Sequence, residues 1–374
     1  MVMEMFAPII PRFNTVPQQD IHETGNAGHA SWLASSRVLL RSMATPLSRA
    51  KHRLALAAAL LAALSISAST TTARAQSWSA EKWQQNLKTW RTQREAEISA
   101  PDGWLTLVSL DWLNAGTNTV GSAADNTLHL PAKAPAHLGV LAVIGSAGSD
   151  RNSSAKPEEA ATVKLSAPEG GFPPGFSVGG KPAHEGPLRT DESDASTMRW
   201  RGFTLLVIER GDRFMLRVKD ADSPVRTSFK GLNWYAPDPR YRVTAQWIPY
   251  NPPRTEKIAT VIGTTLELPA PGVARFTLDG KIMELVPVIE EPGDKELFFM
   301  LRDHTSRTAT YGGGRFLYTA FPDHGLNRPG TLVLDFNKLH NPPCAYTEYA
   351  TCPLPPRQNQ LDTEIPAGEK RYHE

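Results

Sequence analysis

Three glycines followed by an arginine, in Tyr311-Gly312-Gly313-Gly314-Arg315, form the stretch of this sequence best suited to chemistry. Successive glycines let backbone N–H groups converge on an anion, and a guanidinium adds parallel donors that fit a carboxylate or phosphate. Asp303 and His304 stand just upstream, and Asp335, Asn337 and Asn341 follow downstream. Together, Asp303, His304, Tyr311, Gly312, Gly313, Gly314, Arg315, Asp335, Asn337 and Asn341 make a candidate site for a small polar or anionic ligand. The same residues allow a hydrolase, with Asp303 or Asp335 as general acid or base and His304 assisting. They equally allow a purely structural role. In that case the glycines permit a bulge or close chain crossing, Arg315 pairs with an internal acid, and Asp and Asn end strands by bonding their own backbone.

The chain has two cysteines, Cys344 and Cys352, and Cys352 opens the proline-dense stretch Cys352-Pro353-Leu354-Pro355-Pro356. In an oxidising compartment a disulfide closing this short loop is the leading assignment. His304 and His340 lack an HxH or CxxC context, so no metal site is assigned. HExxH, a phosphate-loop lysine and GxGxxG do not occur, and no cofactor is expected. Gly175-Phe176-Ser177-Val178-Gly179 matches the pattern of a serine-hydrolase elbow, but flanking prolines and glycines leave no room for the strand and helix an elbow needs. Arg210-Gly211-Asp212 is explained by the hairpin it closes.

These groups need a scaffold, and the period of the apolar residues indicates which one. Ser79 caps a helix whose face reads Trp83, Leu87, Trp90. Beyond Pro101 the period changes to two and turn signals recur. Residues 203–208 and 214–218 pair through Gly211-Asp212, and residues 274–278 and 281–286 through Asp279-Gly280, a dipeptide suited to a type I′ turn. Strands over 297–301, 315–318 and 331–334 would carry the candidate site. In the second of them, Phe316 and Tyr318 would share one face and Arg315 and Leu317 the other. The expected fold is mainly β: antiparallel β-sandwich modules with one buried face per sheet, preceded by one amphipathic helix. Residues 146–160 read as an exposed loop.

Composition limits the partners. The chain has 374 residues, 40 basic and 38 acidic, so it offers no strong field for nucleic acid. Hydrophobic content of 40% with 31 prolines and 27 glycines excludes collagen and coiled coil and suits a turn-rich folded chain. Arg49, Lys51 and Arg53 precede an apolar run at residues 54–66, and Ala73-Arg74-Ala75 follows. This is the pattern of a cleavable secretory signal peptide, too short in its apolar core to span a membrane. The expectation is translation from Met43, cleavage after Ala75, and a periplasmic or secreted product beginning at Gln76 with no stable membrane anchor. The expected divisions are 1–75 signal-peptide region, 76–102 helix, 103–222 a β-sandwich module and 223–374 a C-terminal β module.

Several runs closely resemble the domain of unknown function 1684 family: Tyr311-Gly-Gly-Gly-Arg-Phe-Leu, Leu334-Asp-Phe-Asn, Asn341-Pro-Pro-Cys-Ala-Tyr, Tyr349-Ala-Thr-Cys-Pro-Leu-Pro-Pro, Asn359-Gln-Leu and Ala367-Gly-Glu-Lys370. The likeness extends through Phe229-Lys-Gly-Leu232 and Leu216-Arg-Val-Lys-Asp220 to Gly103-Trp-Leu105 and implies homology to uncharacterised bacterial and archaeal proteins. Residues Thr117-Asn-Thr-Val-Gly-Ser122 and Asn126-Thr-Leu-His-Leu-Pro131 are similar to the opening strands of a forkhead-associated sandwich. Ser122 replaces the arginine of that family, so phosphothreonine recognition is not implied. The leading expectation is an exported protein whose C-terminal module binds a small polar or anionic ligand. The alternatives are a hydrolase acting on an envelope ester, glycoside or phosphate, and a structural or assembly protein.

Overall fold

The computed structural model describes residues 80–145 and 161–372. The expected leader, with Met43, residues 54–66 and Ala73-Arg74-Ala75, lies outside them, as do Ser79 and the loop expected at 146–160. The chain divides into a unit that includes Leu87–Glu374 and a second, Phe13–Asn86. All the β structure among the described residues belongs to the first.

Helix α1 spans residues 80–98. Leu87 and Ile98, three turns apart on one face, are each 1% exposed. Pro101, lacking an N–H, cannot continue the helix. Gly103 then passes so close to the last turn that a Cβ there would meet the Glu97 and Ile98 carbonyl oxygens at 2.5 Å.

Eleven strands follow: β1 (Leu107–Trp112), β2 (Gly116–Gly121), β3 (Leu128–His129), β4 (Gly139–Ile144), β5 (Thr162–Ser166), β6 (Ser177–Val178), β7 (Lys181–Pro182), β8 (Gly186–Leu188), β9 (Met198–Trp200), β10 (Phe203–Arg210) and β11 (Arg213–Asp220). They form two sheets, ordered β1-β11-β10-β9-β6-β7 and β3-β2-β4-β5-β8. The inner faces of both supply one core, with Leu141, Val163 and Leu165 from one and Leu205, Val207, Leu216 and Val218 from the other. Strand β11 departs from the expected single buried face. Phe214, Leu216 and Val218 enter this core, yet Met215 and Arg217 on the opposite face are also buried. That second face is covered from the C-terminal region, where Thr351 lies within hydrogen-bond distance of Arg217 and Arg210.

The remaining strands are β12 (Arg242–Ala259), β13 (Thr265–Leu278), β14 (Lys281–Leu285), β15 (Glu296–Leu301), β16 (Arg315–Ala320) and β17 (Gly330–Asp335). One sheet is ordered β14-β13-β12-β17, and β15 pairs with β16. The turn between β13 and β14 is the one the sequence dictates: Asp279 and Gly280 both take positive φ, 49° and 76°. The ladder of β12 and β13 is irregular between Pro249 and Arg254, where Pro252 and Pro253 have no N–H to give. A second core gathers Trp247, Phe276, Phe299, Leu317, Leu334 and Phe336 from both sheets, with Ile365 and Ala367 from the C-terminal segment. Among the described residues the protein is therefore mainly β, with several antiparallel sheets and one main helix on the N-terminal side of the strands.

Candidate functional site

Strand β15 ends at Leu301, and Asp303 caps the short 3₁₀ turn His304–Arg307 that reverses the chain. Asp303 Oδ1 accepts from Thr305 N at 2.8 Å and Thr305 Oγ1 at 2.6 Å. Its other oxygen accepts from Arg315 Nη2 at 2.6 Å. Arg315, the first residue of β16, also donates to the carbonyls of Ala367 and Ile365. The two side chains are 1% and 0% exposed. Arg315 therefore faces inward and is held by an acid and two C-terminal carbonyls. Where a ligand-facing guanidinium was expected there is a buried ion pair, because both faces of β16 are covered and Arg315, Phe316 and Leu317 are all buried. Phe316 and Tyr318 share the opposite side, where both rings meet Phe298.

The glycines before Arg315 have a steric cause. Gly314 has φ +99°, and a Cβ on it would lie 2.5 Å from Pro355 Cγ and 2.7 Å from the Leu301 oxygen. A Cβ on Gly313 would strike the Tyr311 ring at 2.5 Å, and only Gly312 has room. The run lets the chain cross beneath Pro355, and the Gly314 N–H is used on Tyr311 O at 3.1 Å. Tyr311 donates its hydroxyl to Cys344 O at 3.1 Å, and burial pushes its pKa up to about 12.

The other candidates disperse. His304 lies at the surface, its Nε2 2.9 Å from the exposed Asp362 carboxylate. Asp335 ends β17 and accepts from Asn337 N at 3.2 Å and Asn337 Nδ2 at 3.0 Å, capping the turn Phe336–Lys338. Asn337 in turn exchanges hydrogen bonds with the Asp238 backbone at 2.9 Å in both directions. Asn341 donates from N and Nδ2 to Glu369, at 3.0 and 2.8 Å. The structure thus joins Asp303 to Arg315 and Asp335 to Asn337, and sends Asn341 to a partner that sequence reasoning had not singled out.

That partner, Glu369, is fully buried and centres a second network. Tyr346 donates its hydroxyl to it, and Arg94 Nε on helix α1 stands 3.6 Å away. Arg94 also donates to Asn341 O at 2.7 Å. Burial raises the Glu369 pKa, with Arg94 and the hydrogen bonds of Tyr346 and Asn341 opposing it. One turn earlier Arg91 donates to Tyr235 O at 3.1 Å, while Glu95 accepts from Leu232 N at 3.2 Å and Trp234 Nε1 at 3.0 Å. The helical spacing of Arg91, Arg94 and Glu95 was the available signal, since three charged groups on one side of an otherwise amphipathic helix are placed to meet polar partners.

His340 lies between these networks, its ring stacked on Tyr318 at 5.9 Å and tilted against Trp90 at 5.8 Å. Burial, aided by the charge of Arg94, holds its pKa well below 6.5. A histidine that is hard to protonate when folded lets the unfolded chain bind the extra proton. Stability is then full above the unfolded pKa of about 6.5 and falls as pH drops toward the folded value. His340→Gln should flatten this acid limb. Between pH 7 and 5.5 the denaturation free energy of the native chain should fall more steeply than that of the variant, by up to about one proton's slope. Parallel curves would show that His340 does not titrate on unfolding.

The expected disulfide is not shown in this structure. Cys344 and Cys352 are free thiols, and Cys344 N donates to Cys352 Sγ at 3.2 Å. Cys344 is half-buried and Cys352 is 4% exposed. The adjoining Thr351 Oγ1 lies 3.3 Å from Arg210 Nε and 3.5 Å from Arg217 Nη2. Ser177 of the elbow-like motif sits in the two-residue strand β6 with no helix after it. Among the described residues no group of three or more His, Cys, Asp or Glu side chains could hold a metal ion, and no helix is long and apolar enough to cross a membrane.

The family described as protein of unknown function DUF1684 matches residues 227–370. A solution NMR structure of an uncharacterised protein from Haloarcula marismortui is similar at 33% identity, covering 39% of this chain and 78% of that one, with a TM-score of 0.33. No curated protein matches.

Proposed function

The chain belongs to the DUF1684 family, whose description carries no activity, and we propose that it is an exported protein of structural or assembly type. Its polar motif residues serve to join helix α1, the sandwich and the C-terminal sheets. One observation supports this reading above the others. The charged ends of Asp303, Arg315 and Glu369 are at most 4% exposed and are bonded within the chain. A binding site for a polar ligand turns its donors toward open space, whereas here donor and acceptor face each other. Export rests on the basic residues, short apolar core and Ala73-Arg74-Ala75 of the leader. In an oxidising compartment Cys344 and Cys352 would close a disulfide.

Two measurements test the proposal. Intact mass of the product released from cells should begin at Gln76, and a product retaining residues 54–66 would remove export. In a thermal-shift screen, phosphorylated, carboxylated and sugar compounds should leave the melting temperature of the wild type unchanged. A compound that stabilises the wild type but not Arg315→Ala would restore the ligand-binding reading.

A further inference from the structure

Two buried arginines share a contact, Thr351, that directly precedes Cys352 in the chain. Arg210 and Arg217 are 7% and 4% exposed. Arg210 pairs with Asp191 at 2.7 Å. Arg217 reaches the Thr351 hydroxyl and lies over the Trp104 ring, neither of which bears charge. Among the described residues, Arg210 Nη2 and Arg217 Nε find no hydrogen-bond acceptor. Arg210 has a carboxylate partner, whereas no ion pair is seen for Arg217 among the described residues, and a buried guanidinium without one costs several kcal/mol unless an anion is adjacent. The residue next to their shared contact, Thr351, is Cys352, and Cys352 Sγ accepts from Cys344 N.

We propose that Cys344 and Cys352 are a reversible dithiol–disulfide pair, in which Cys344 reacts as a thiolate balanced by the buried Arg210–Arg217 charge and Cys352 resolves the mixed disulfide. This deepens the bridge named above, on which it rests, by giving it a reactive partner class: small disulfides.

Accessibility sets the order. Cys344, in the short turn Pro343–Ala345, is half-buried, whereas Cys352 is buried. The charged and titratable groups around the pair are Arg217, Arg210, Asp191 and the Tyr311 hydroxyl on Cys344 O. They favour the same assignment. The hydrogen bond from Cys352 and the charge of Arg217 lower the Cys344 pKa, while burial raises that of Cys352. Burial and the neighbouring Arg210 charge pull Arg217 itself down to about 10, a penalty that a nearby thiolate relieves.

The chemistry closes with one small disulfide. The Cys344 thiolate attacks one sulfur of glutathione disulfide, a bond forms between Cys344 and that sulfur, and the first glutathione leaves as a thiolate that takes a proton from water. Cys352 then gives its proton to water as its sulfur attacks that of Cys344, expelling the second glutathione thiolate. Two protein thiols are oxidised and one glutathione disulfide is reduced to two glutathiones.

The test uses the reduced, purified chain and its Cys344→Ser and Cys352→Ser variants. With glutathione disulfide the wild type should form the internal bridge and Cys352→Ser a stable mixed disulfide, while Cys344→Ser should react at least ~10-fold more slowly. Iodoacetamide should alkylate Cys344 in Cys352→Ser with a midpoint below the ~8.5 of a free cysteine, and Arg217→Met should move that midpoint upward. Should Arg217→Met fail to fold, Arg210→Met serves the same comparison. Equal reactivity of the two cysteines, or a midpoint at or above that of free cysteine, overturns the inference while leaving a structural bridge intact. Failure of the wild type to form any bridge in glutathione disulfide overturns both.

Discussion

Glu369→Ala is expected to lower the unfolding free energy by about 3–5 kcal/mol, the cost of removing one member of a buried charge pair. The carboxylate is the shared acceptor for Asn341 N, Asn341 Nδ2 and the Tyr346 hydroxyl, and it is the charge that Arg94 meets from helix α1. Truncation leaves all of these donors buried, and water cannot reach them without opening the contact between the helix and the C-terminal segment. Glu369→Gln retains an acceptor oxygen and removes only the charge, so its loss should be smaller. The damage should also be local. Amide hydrogen exchange over residues 87–98 should accelerate more than over β10 and β11, whose ladder is independent of Glu369. Denaturation with urea checks the magnitude. A loss below about 1 kcal/mol, the range of exposed pairs, would mean that Glu369 does not hold the helix in place.

Arg315→Ala carries an expected loss of similar size, about 3–5 kcal/mol, for a related reason. The variant leaves the Asp303 Oδ2 charge, the Ile365 carbonyl and the Ala367 carbonyl facing a cavity. Part of the loss is polar and part is the volume vacated in a region where neighbouring side chains are fully buried. Had Arg315 been a ligand contact, its removal would have left the unliganded protein as stable as before, or more stable. The sign and size of the change therefore separate the two roles without any ligand being known.

Local signals in the sequence were sufficient for much of the scaffold. Asp279-Gly280 has a backbone need that few dipeptides satisfy, and its hairpin pairs Leu278 with Lys281 as expected. The apolar runs at 297–301 and 331–334 became β15 and β17, and the alternation along β16 placed Phe316 with Tyr318 and Arg315 with Leu317. What alternation could not say was which face is the interior. In β11 both faces are interior, because residues far along the chain cover Arg217. The same blindness affected the site. Asp303 and Arg315 are twelve residues apart and meet across the β15–β16 pair, a contact that depends on register. Glu369 finds Arg94 across 275 positions, and no local pattern marks such a pair. Gly314 was legible as an unusual backbone, but only the position of Pro355 tells a chain crossing from an anion cradle.

If the polar motif residues serve one another, a double-mutant cycle on Asp303 and Arg315 will reveal their coupling. Asp303→Leu and Arg315→Met are made singly and together, with unfolding free energies measured in urea at neutral pH. Each single variant leaves one buried charge unpaired, whereas the double variant leaves none. The double variant should be more stable than the sum of the single losses allows, with a coupling energy of about 2–3 kcal/mol. Additive losses, agreeing within about 0.5 kcal/mol, would contradict it and return Arg315 to the search for a ligand.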